Sequence, residues 1–439
     1  MARGRSPDPP IMPDAAARTA SAKLYRPKLA TTLAEGYGLD HLRRDAGAGL
    51  TVAIVALPLS MAIAMASGVS PDRGLYTAIV GGFLVSALGG SRFQIGGPAG
   101  AFIVLVSATV ARFGIEGLIL TVFLSGLLLA LVGLLRLGAL IRHIPHTVTV
   151  GFTAGIAVTI LASQLKDLAG LTLAGPEPGP MVAKLAALAA ALPTFSAASA
   201  GVALTVIVVA LALRRWRPSL PGMLIAVAAA TLGARLLGLP VETIGSRFGG
   251  VPHGLPAPAL PHVTPELALA VLPAALSFTL LGGIESLLSA KVADGMTGRL
   301  HRSNMELLAQ GIANLGSALF GGIAVTGTIA RTATNIRAGA VSPVAGMLHA
   351  AFILAFMLLA APLASYVPVS ALAGVLAVVA WNMAEKAEFA ALLRDPRSAA
   401  VVLATFALTV LHDLTAGIGA GCGLAALFWA AARLRRSRG

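Results

Sequence analysis

Phe93-Gln94-Ile95-Gly96-Gly97-Pro98 and Ile323-Ala324-Val325-Thr326-Gly327-Thr328 set the architecture of this chain. Each is a Gly-containing approach to an apolar run that ends early, 98–111 after the first and 328–339 after the second. At about 1.5 Å per helical residue these runs reach roughly 21 and 18 Å, short of the roughly 30 Å of a bilayer's hydrocarbon core. Short, Gly- or Pro-interrupted segments at matching places in two halves of a chain point to the binding site of a membrane carrier.

The rest of the chain supplies the membrane context. Charged residues make up 11% of it, hydrophobic residues 57%, and the mean hydropathy is +0.86. A soluble domain carries about a quarter charged residues, so this chain cannot cover water-soluble globules with polar surface. The 49 glycines suit close packing between membrane helices. The single cysteine, Cys422, excludes an intrachain disulfide and a cysteine metal cluster, and reads as a small core residue. The net charge of +14 is spread over many short loops, whereas nucleic acid needs a contiguous basic patch; no nucleic-acid partner is expected. Residues 1–46 lack the apolar core of a signal peptide and carry eight Lys or Arg. They read as a cytoplasmic N-terminal tail.

Apolar runs bounded by Gly, Pro or charge divide residues 47–433 into fourteen segments. They fall near 47–66, 74–89, 98–111, 116–135, 145–165, 196–213, 219–237, 268–290, 304–321, 328–339, 343–361, 368–384, 398–412 and 414–432. The Ala-rich stretch 181–191 reads as a loop helix. With an even count both termini share a side, and that side receives 25 of the 32 Lys and Arg against six on the other, with Arg331 inside a span. The positive-inside rule makes that side cytoplasmic, including a short C-terminus at 434–439. The short segments are the third and the tenth, which match in a seven-plus-seven division. Segments five and twelve both open on an aliphatic-Pro step, Ile144-Pro145 and Val367-Pro368. Seven spans per half would make the halves inverted repeats.

A half-helix that starts near the midplane leaves its first N–H groups unpaired, with partial positive charge there. Two such ends facing each other form an anion site without any charged side chain. Pro98 suits a first helical position, and Gly96 and Gly97 permit an extended approach with room for a substrate; an ordinary Gly-Gly-Pro loop is the alternative. Arg331, three residues into the tenth segment, costs at least about 2.5–3.5 kcal/mol there if uncompensated. It reads either as an electropositive group beside the substrate or as a structural arginine paired with a carboxylate. Glu285 is the other costly residue. It can carry a proton, ligate Na⁺ with Ser289 one turn on, or form a salt bridge to Arg331. Thr326, Thr328 and Thr332 can line the same cavity, or act as caps and back-bonded hydroxyls. Pro58 should kink the first span beside Ser60 and Met61, exposing them to a cavity or serving packing alone. His349 and His412 lack the companions of a metal site, so no metal is expected.

The chain resembles the sulfate permease (SulP) family of inorganic anion transporters. The resemblance is carried by Ala56-Leu57-Pro58, Ala66-Ser67-Gly68-Val69, Gly74-Leu75-Tyr76, Gly96-Gly97-Pro98, the run Ile284-Glu285-Ser286-Leu287-Leu288-Ser289-Ala290 through Val292-Ala293-Asp294-Gly295-Met296-Thr297-Gly298, Asn304, Gln310-Gly311 and Ala330-Arg331-Thr332-Ala333-Thr334-Asn335-Ile336-Arg337. It implies an all-α polytopic membrane protein of fourteen transmembrane segments, as two inverted seven-span repeats. Spans 1–4 and 8–11 would form a core domain, and spans 5–7 and 12–14 a gate domain. The anion would lie between half-helices 3 and 10, at Gly97, Pro98, Ala99, Thr328, Ile329, Ala330 and Arg331, with Ser60 and Met61 from span 1. Glu285, Ser289 and Thr326 would hold a coupling ion.

Family chains usually continue into a cytoplasmic STAS domain, whereas this sequence stops a few residues past the last span, as a short member or a truncated one. Some relatives carry serine at the position of Ala330, so contact there would be through a backbone N–H. The expectation is a secondary active transporter of a small inorganic anion or dicarboxylate (sulfate, bicarbonate or dicarboxylate class), coupled to H⁺, by an elevator or rocking movement. The alternatives on the same fold are an Na⁺ symporter, an exchanger or a passive channel. No cofactor is expected beyond the coupling H⁺ or Na⁺. The expected location is a bacterial inner membrane, in contact with lipid, with a homodimer possible. No His-Glu-x-x-His, nucleophile elbow with a triad, or carboxylate pair points to an enzyme.

Overall fold

The computed structural model describes residues 25–138, 145–175, 177–217, 220–412 and 414–436. The tail up to residue 24, Arg142, Ile144 and the last three residues lie outside these. The chain opens with α1 (Lys28–Ala34) and α2 (Leu39–Ala66). Helix α3 (Pro71–Tyr76) then runs through a π turn, Thr77–Gly81, into α4 (Gly82–Leu88). Strand β1 (Gly96–Gly97) and a 3₁₀ turn, Gly100–Phe102, lead into α5 (Ile103–Leu134). There follow α6 (His146–Ala169), α7 (Met181–Ala190), α8 (Ala197–Trp216), α9 (Gly222–Leu236) and α10 (Ile244–Phe248). The second half comprises α11 (Pro265–Thr297), α12 (Ser303–Leu319), β2 (Thr326–Gly327), α13 (Ile329–Arg337) and α14 (Val344–Ala364). It closes with α15 (Val369–Met383), α16 (Lys386–Leu392), α17 (Pro396–Leu411) and α18 (Leu414–Arg436). Among the described residues, seven helical stretches are long and apolar enough to cross a membrane.

Local chemistry sets many of the ends. Thr264 caps α11 by accepting from the Leu267 N–H, with Pro265 at the first helical position where no N–H is needed. Ser196 caps α8 and Asp395 caps α17 in the same way. Gly114 adopts φ 69° within α5, a left-handed conformation that ends the third segment after Phe113 and turns the chain into the fourth.

Three boundaries differ from the sequence reading. Helix α2 begins at Leu39, not 47, because hydropathy marks entry into the apolar phase while helical hydrogen bonding continues through the polar residues before it. The N-terminal tail is therefore shorter, and α1 lies within it. Helix α18 likewise runs on to Arg436. Pro98 is not at a first helical position. The cap is Ala99, and the pairing of β1 with β2 keeps the chain extended through it.

The helices pack in two groups. Helix α5 lies against α11 and α12, α14 against α2 and α4, and α13 against α2 and α11. Separately, α6 lies against α15 and α17, α8 against α9 and α15, and α17 against α18. The groups meet where α15 and α9 touch α2, and where Ile160 and Met383 close on Gly100.

Candidate functional site

The two approaches cross at the centre of the first group. β1 and β2 pair antiparallel, Gly96 opposite Gly327 and Gly97 opposite Thr326. The Thr328 N–H donates to the Ile95 carbonyl at 3.0 Å, and the Ile95 N–H donates to Thr332 Oγ1 at 3.1 Å. This two-residue ladder holds the starts of both short helices side by side. Beyond it, the backbone N–H groups of Ala99, Gly100 and Ala101 on one side, and of Ile329, Ala330 and Arg331 on the other, form no hydrogen bond among the described residues. Two sets of unpaired donors, each at the positive end of a helix dipole, thus converge.

Arg331, at the third position of α13, turns back beneath the crossing. Its Nη2 donates to Ser60 Oγ at 3.2 Å and to the Pro98 carbonyl at 3.3 Å. Its Nε and Nη1 are enclosed and have no partner, and the residue is 2% exposed. No carboxylate pairs with it among the described residues, so neither the Glu285 salt bridge nor any other structural ion pair is formed. A Cβ on Gly97 would fall 2.1 Å from Nη1. The glycine gives its room to the guanidinium rather than to a substrate. Met61 is enclosed with the core of α2, whereas Ile329 and Ala330 are exposed.

Helix α11 supplies the third wall. Ser286 Oγ lies 2.7 Å from Thr326 Oγ1 and accepts from the Gly327 N–H at 3.3 Å, while Thr326 Oγ1 donates to the Gly282 carbonyl at 3.2 Å. One turn on, Ser289 Oγ donates to Thr332 Oγ1 at 3.1 Å. Glu285 lies between these contacts in sequence; its Oε2 is buried and has no partner. Ser289 and Thr326 thus fasten the crossing to α11, and neither bonds Glu285.

Several further residues support the crossing. Asn314 acts as a surrogate strand partner: its Oδ1 accepts from the Val325 N–H at 3.0 Å and its Nδ2 donates to the Val325 carbonyl at 2.8 Å. Ser317 Oγ donates to the Ile323 carbonyl, Thr77 Oγ1 accepts from the Ile323 N–H, and Asn335 Nδ2 donates to the Phe93 carbonyl. The spacings 310/314/317 and 328/332/335 put these polar groups on one face of each helix, a signal present in the sequence. Gln94 and His349 are also enclosed, and the Nε2 and Oε1 of Gln94 have no partner among the described residues.

Fold and crossing together define the class: an integral, multi-pass membrane protein. The chain belongs to the Sulfate permease family, whose sequence model matches residues 42–405. It is 44% identical to "Putative sulfate transporter YvdB" of Bacillus subtilis (strain 168), over 90% of this chain and 75% of that protein. It is 31% identical to "Bicarbonate transporter BicA" of Picosynechococcus, over 87% of this chain and 69% of that one. Among solved structures, the transmembrane domain of a cyanobacterial bicarbonate transporter BicA superposes with a TM-score of 0.78 at 30% identity, covering 87% of this chain and 98% of that one. Murine Solute Carrier 26 family member A9 shares the fold, with a TM-score of 0.84 at 19% identity over 94% of this chain and 72% of that one. The protein is accordingly a membrane anion transporter and not an enzyme.

Proposed function

We propose that this chain is a secondary active transporter of a small oxyanion of the sulfate or bicarbonate class, bound where the two short helices begin. One observation carries the reading: a guanidinium without a carboxylate partner lies beneath two converging sets of unpaired N–H groups. Three like-signed sources so close are mutually repulsive in a low-dielectric site, and an anion offsets all of them at once. The names of the relatives, sulfate and bicarbonate transporters, support the substrate class.

The fourteen-span arrangement fits the same reading. Spans 1–4 and 8–11, as the core, correspond to α2 through α5 and α11 through α14; spans 5–7 and 12–14, as the gate, correspond to α6, α8, α9, α15, α17 and α18. The two packing groups support this division, and movement of one group against the other, by an elevator or rocking step, would give alternating access. Glu285, Ser289 and Thr326 form the coupling-ion site, with H⁺ carried on Glu285, whose Oε2 has no competing partner. Uptake into proteoliposomes tests this: Glu285→Gln should abolish stimulation by a pH gradient, and undiminished proton-driven uptake in that variant contradicts the role. Uptake that requires Na⁺ but no pH gradient assigns the site to sodium instead.

A further inference from the structure

Five cations converge where the N-terminal segment meets the loop between α11 and α12. Arg26 and Lys28 stand at the start of α1, Arg92 precedes the first approach, and Arg299 and Arg302 lie in the loop. Lys28 Nζ donates to the Leu300 carbonyl at 2.7 Å, and Arg302 Nη1 donates to the Arg26 carbonyl at 2.7 Å. Burial, then the charges of Arg302 and Arg92, push the Lys28 ammonium below the usual lysine range. Burial, then Arg26 and Arg92, act on Arg302 in the same direction.

Three carboxylates stand nearby, and two are turned to other partners. Asp294 Oδ2 lies 2.6 Å from His301 Nδ1, and the enclosed Glu306 accepts from the Ser91 N–H and from Gln310 Nε2. Glu35 alone pairs with the cations, bonded to Arg92 and 3.8 Å from Arg299 Nη1. Five cations against three carboxylates leave two positive charges in excess. The Arg299 guanidinium makes no hydrogen bond among the described residues, and Arg26 uses one donor, Nη2 to the Ala30 carbonyl.

Apolar side chains flank the cluster. Leu33 on α1, Leu39 at the start of α2 and Leu300 beside Arg299 are 55%, 61% and 77% exposed. Leu39 lies about 12 Å along α2 from the start of its apolar run at residue 47, close to the headgroup layer of a bilayer. A soluble anion would leave these leucines in water, whereas a membrane surface covers them and sets phosphates beside the cations.

We infer that this cluster is a docking site for the phosphate of an anionic lipid headgroup, in the leaflet that the positive-inside count makes cytoplasmic. The site belongs to the group that carries the crossing, and it does not depend on which anion the crossing takes.

Melting of the full chain in uncharged detergent micelles, titrated with phosphatidylglycerol, phosphatidylcholine or inorganic phosphate, tests the site. Phosphatidylglycerol should raise the melting temperature saturably, and the other two should not at matched concentration. Arg26→Gln/Arg299→Gln alters two exposed side chains outside the crossing. In it the half-maximal lipid concentration should rise at least about fivefold. Arg215→Gln/Arg217→Gln removes the same charge from the second packing group and should leave that concentration within about twofold of wild type. Absence of saturable stabilisation by phosphatidylglycerol, an unchanged half-maximal concentration in the first variant, or an equal rise in the second overturns the proposal. Equal stabilisation by phosphatidylcholine or by inorganic phosphate overturns it as well, the latter in favour of a soluble phosphate ligand. Should the first variant fail to fold, as judged by its melting temperature without lipid, Arg299→Gln alone carries the same expectation of weakened binding.

Discussion

Arg331 is held by two acceptors and confined by one glycine. Its Nη2 bridges Ser60 Oγ and the Pro98 carbonyl, which ties α2, the first short helix and the second to a single side chain. A lysine keeps the charge but not the planar fork, so Arg331→Lys should not restore uptake to an Arg331-dependent transporter. Initial rates in proteoliposomes should stay at least about fivefold below wild type. Gly97 makes a sharper test, because its substitution leaves the arginine in place chemically. The 2.1 Å between a Cβ at 97 and Nη1 forces the guanidinium or the strand to move. Gly97→Ala should therefore impair uptake about as severely as Arg331→Ala, and wild-type uptake by that variant would show that the guanidinium position is not critical.

At the scale of elements, the crossing is a very short ladder sustained by side chains. Two residues per strand cannot hold a β-pair alone. Asn314 compensates by bonding both polar groups of Val325, and Ser286 and Thr332 fasten the rest. Asn314→Ala leaves the enclosed N–H and carbonyl of Val325 without this partner, at about 1–3 kcal/mol. The expected result is a lower melting temperature, with faster amide exchange at Val325 than at buried helical amides of α5. This level was the least legible in sequence. The short segments were visible because residue counts alone decide whether a helix can span. A two-residue strand has no periodicity to detect, and without it the sequence pattern puts Pro98 at a first helical position and gives Gly97 as room for a substrate. Gln94 and His349 stood as lone polar residues in apolar surroundings, where no spacing marks them out. Asn314 did have a spacing, with Gln310 and Ser317 on one helical face, but what that face meets is a tertiary fact.

At the scale of the whole molecule, two packing groups share a narrow contact, and one of them carries the crossing. The N-terminal segment belongs with the former. Tyr25 Oη donates to the Gly133 and Leu134 carbonyls, Lys28 Nζ to the Leu300 carbonyl, and Arg302 Nη1 to Thr31 Oγ1. Glu35 pairs with Arg92 and lies 3.8 Å from Arg299. The hydrogen bond from Arg92 holds the Glu35 carboxyl below the usual carboxylate range. Stability from such a group is fully present above its unfolded pKa, about 4.3, and is lost as pH falls through the lower folded value. Glu35→Gln should lower the melting temperature modestly at about pH 7, with the difference from wild type disappearing as pH falls through the lowered folded value and shrinking in high salt. An unchanged difference at low pH would place the contribution elsewhere.

Passage of an anion through the site where the two short helices begin, as proposed above, is open to direct measurement. Counterflow of radiolabelled sulfate and bicarbonate into proteoliposomes, wild type against Arg331→Ala at matched incorporation, tests it most directly. The wild type should show saturable uptake of at least one of these anions and the variant a loss of at least about tenfold, equivalent to about 1.4 kcal/mol; equal uptake by the two proteins would rule this site out as the route.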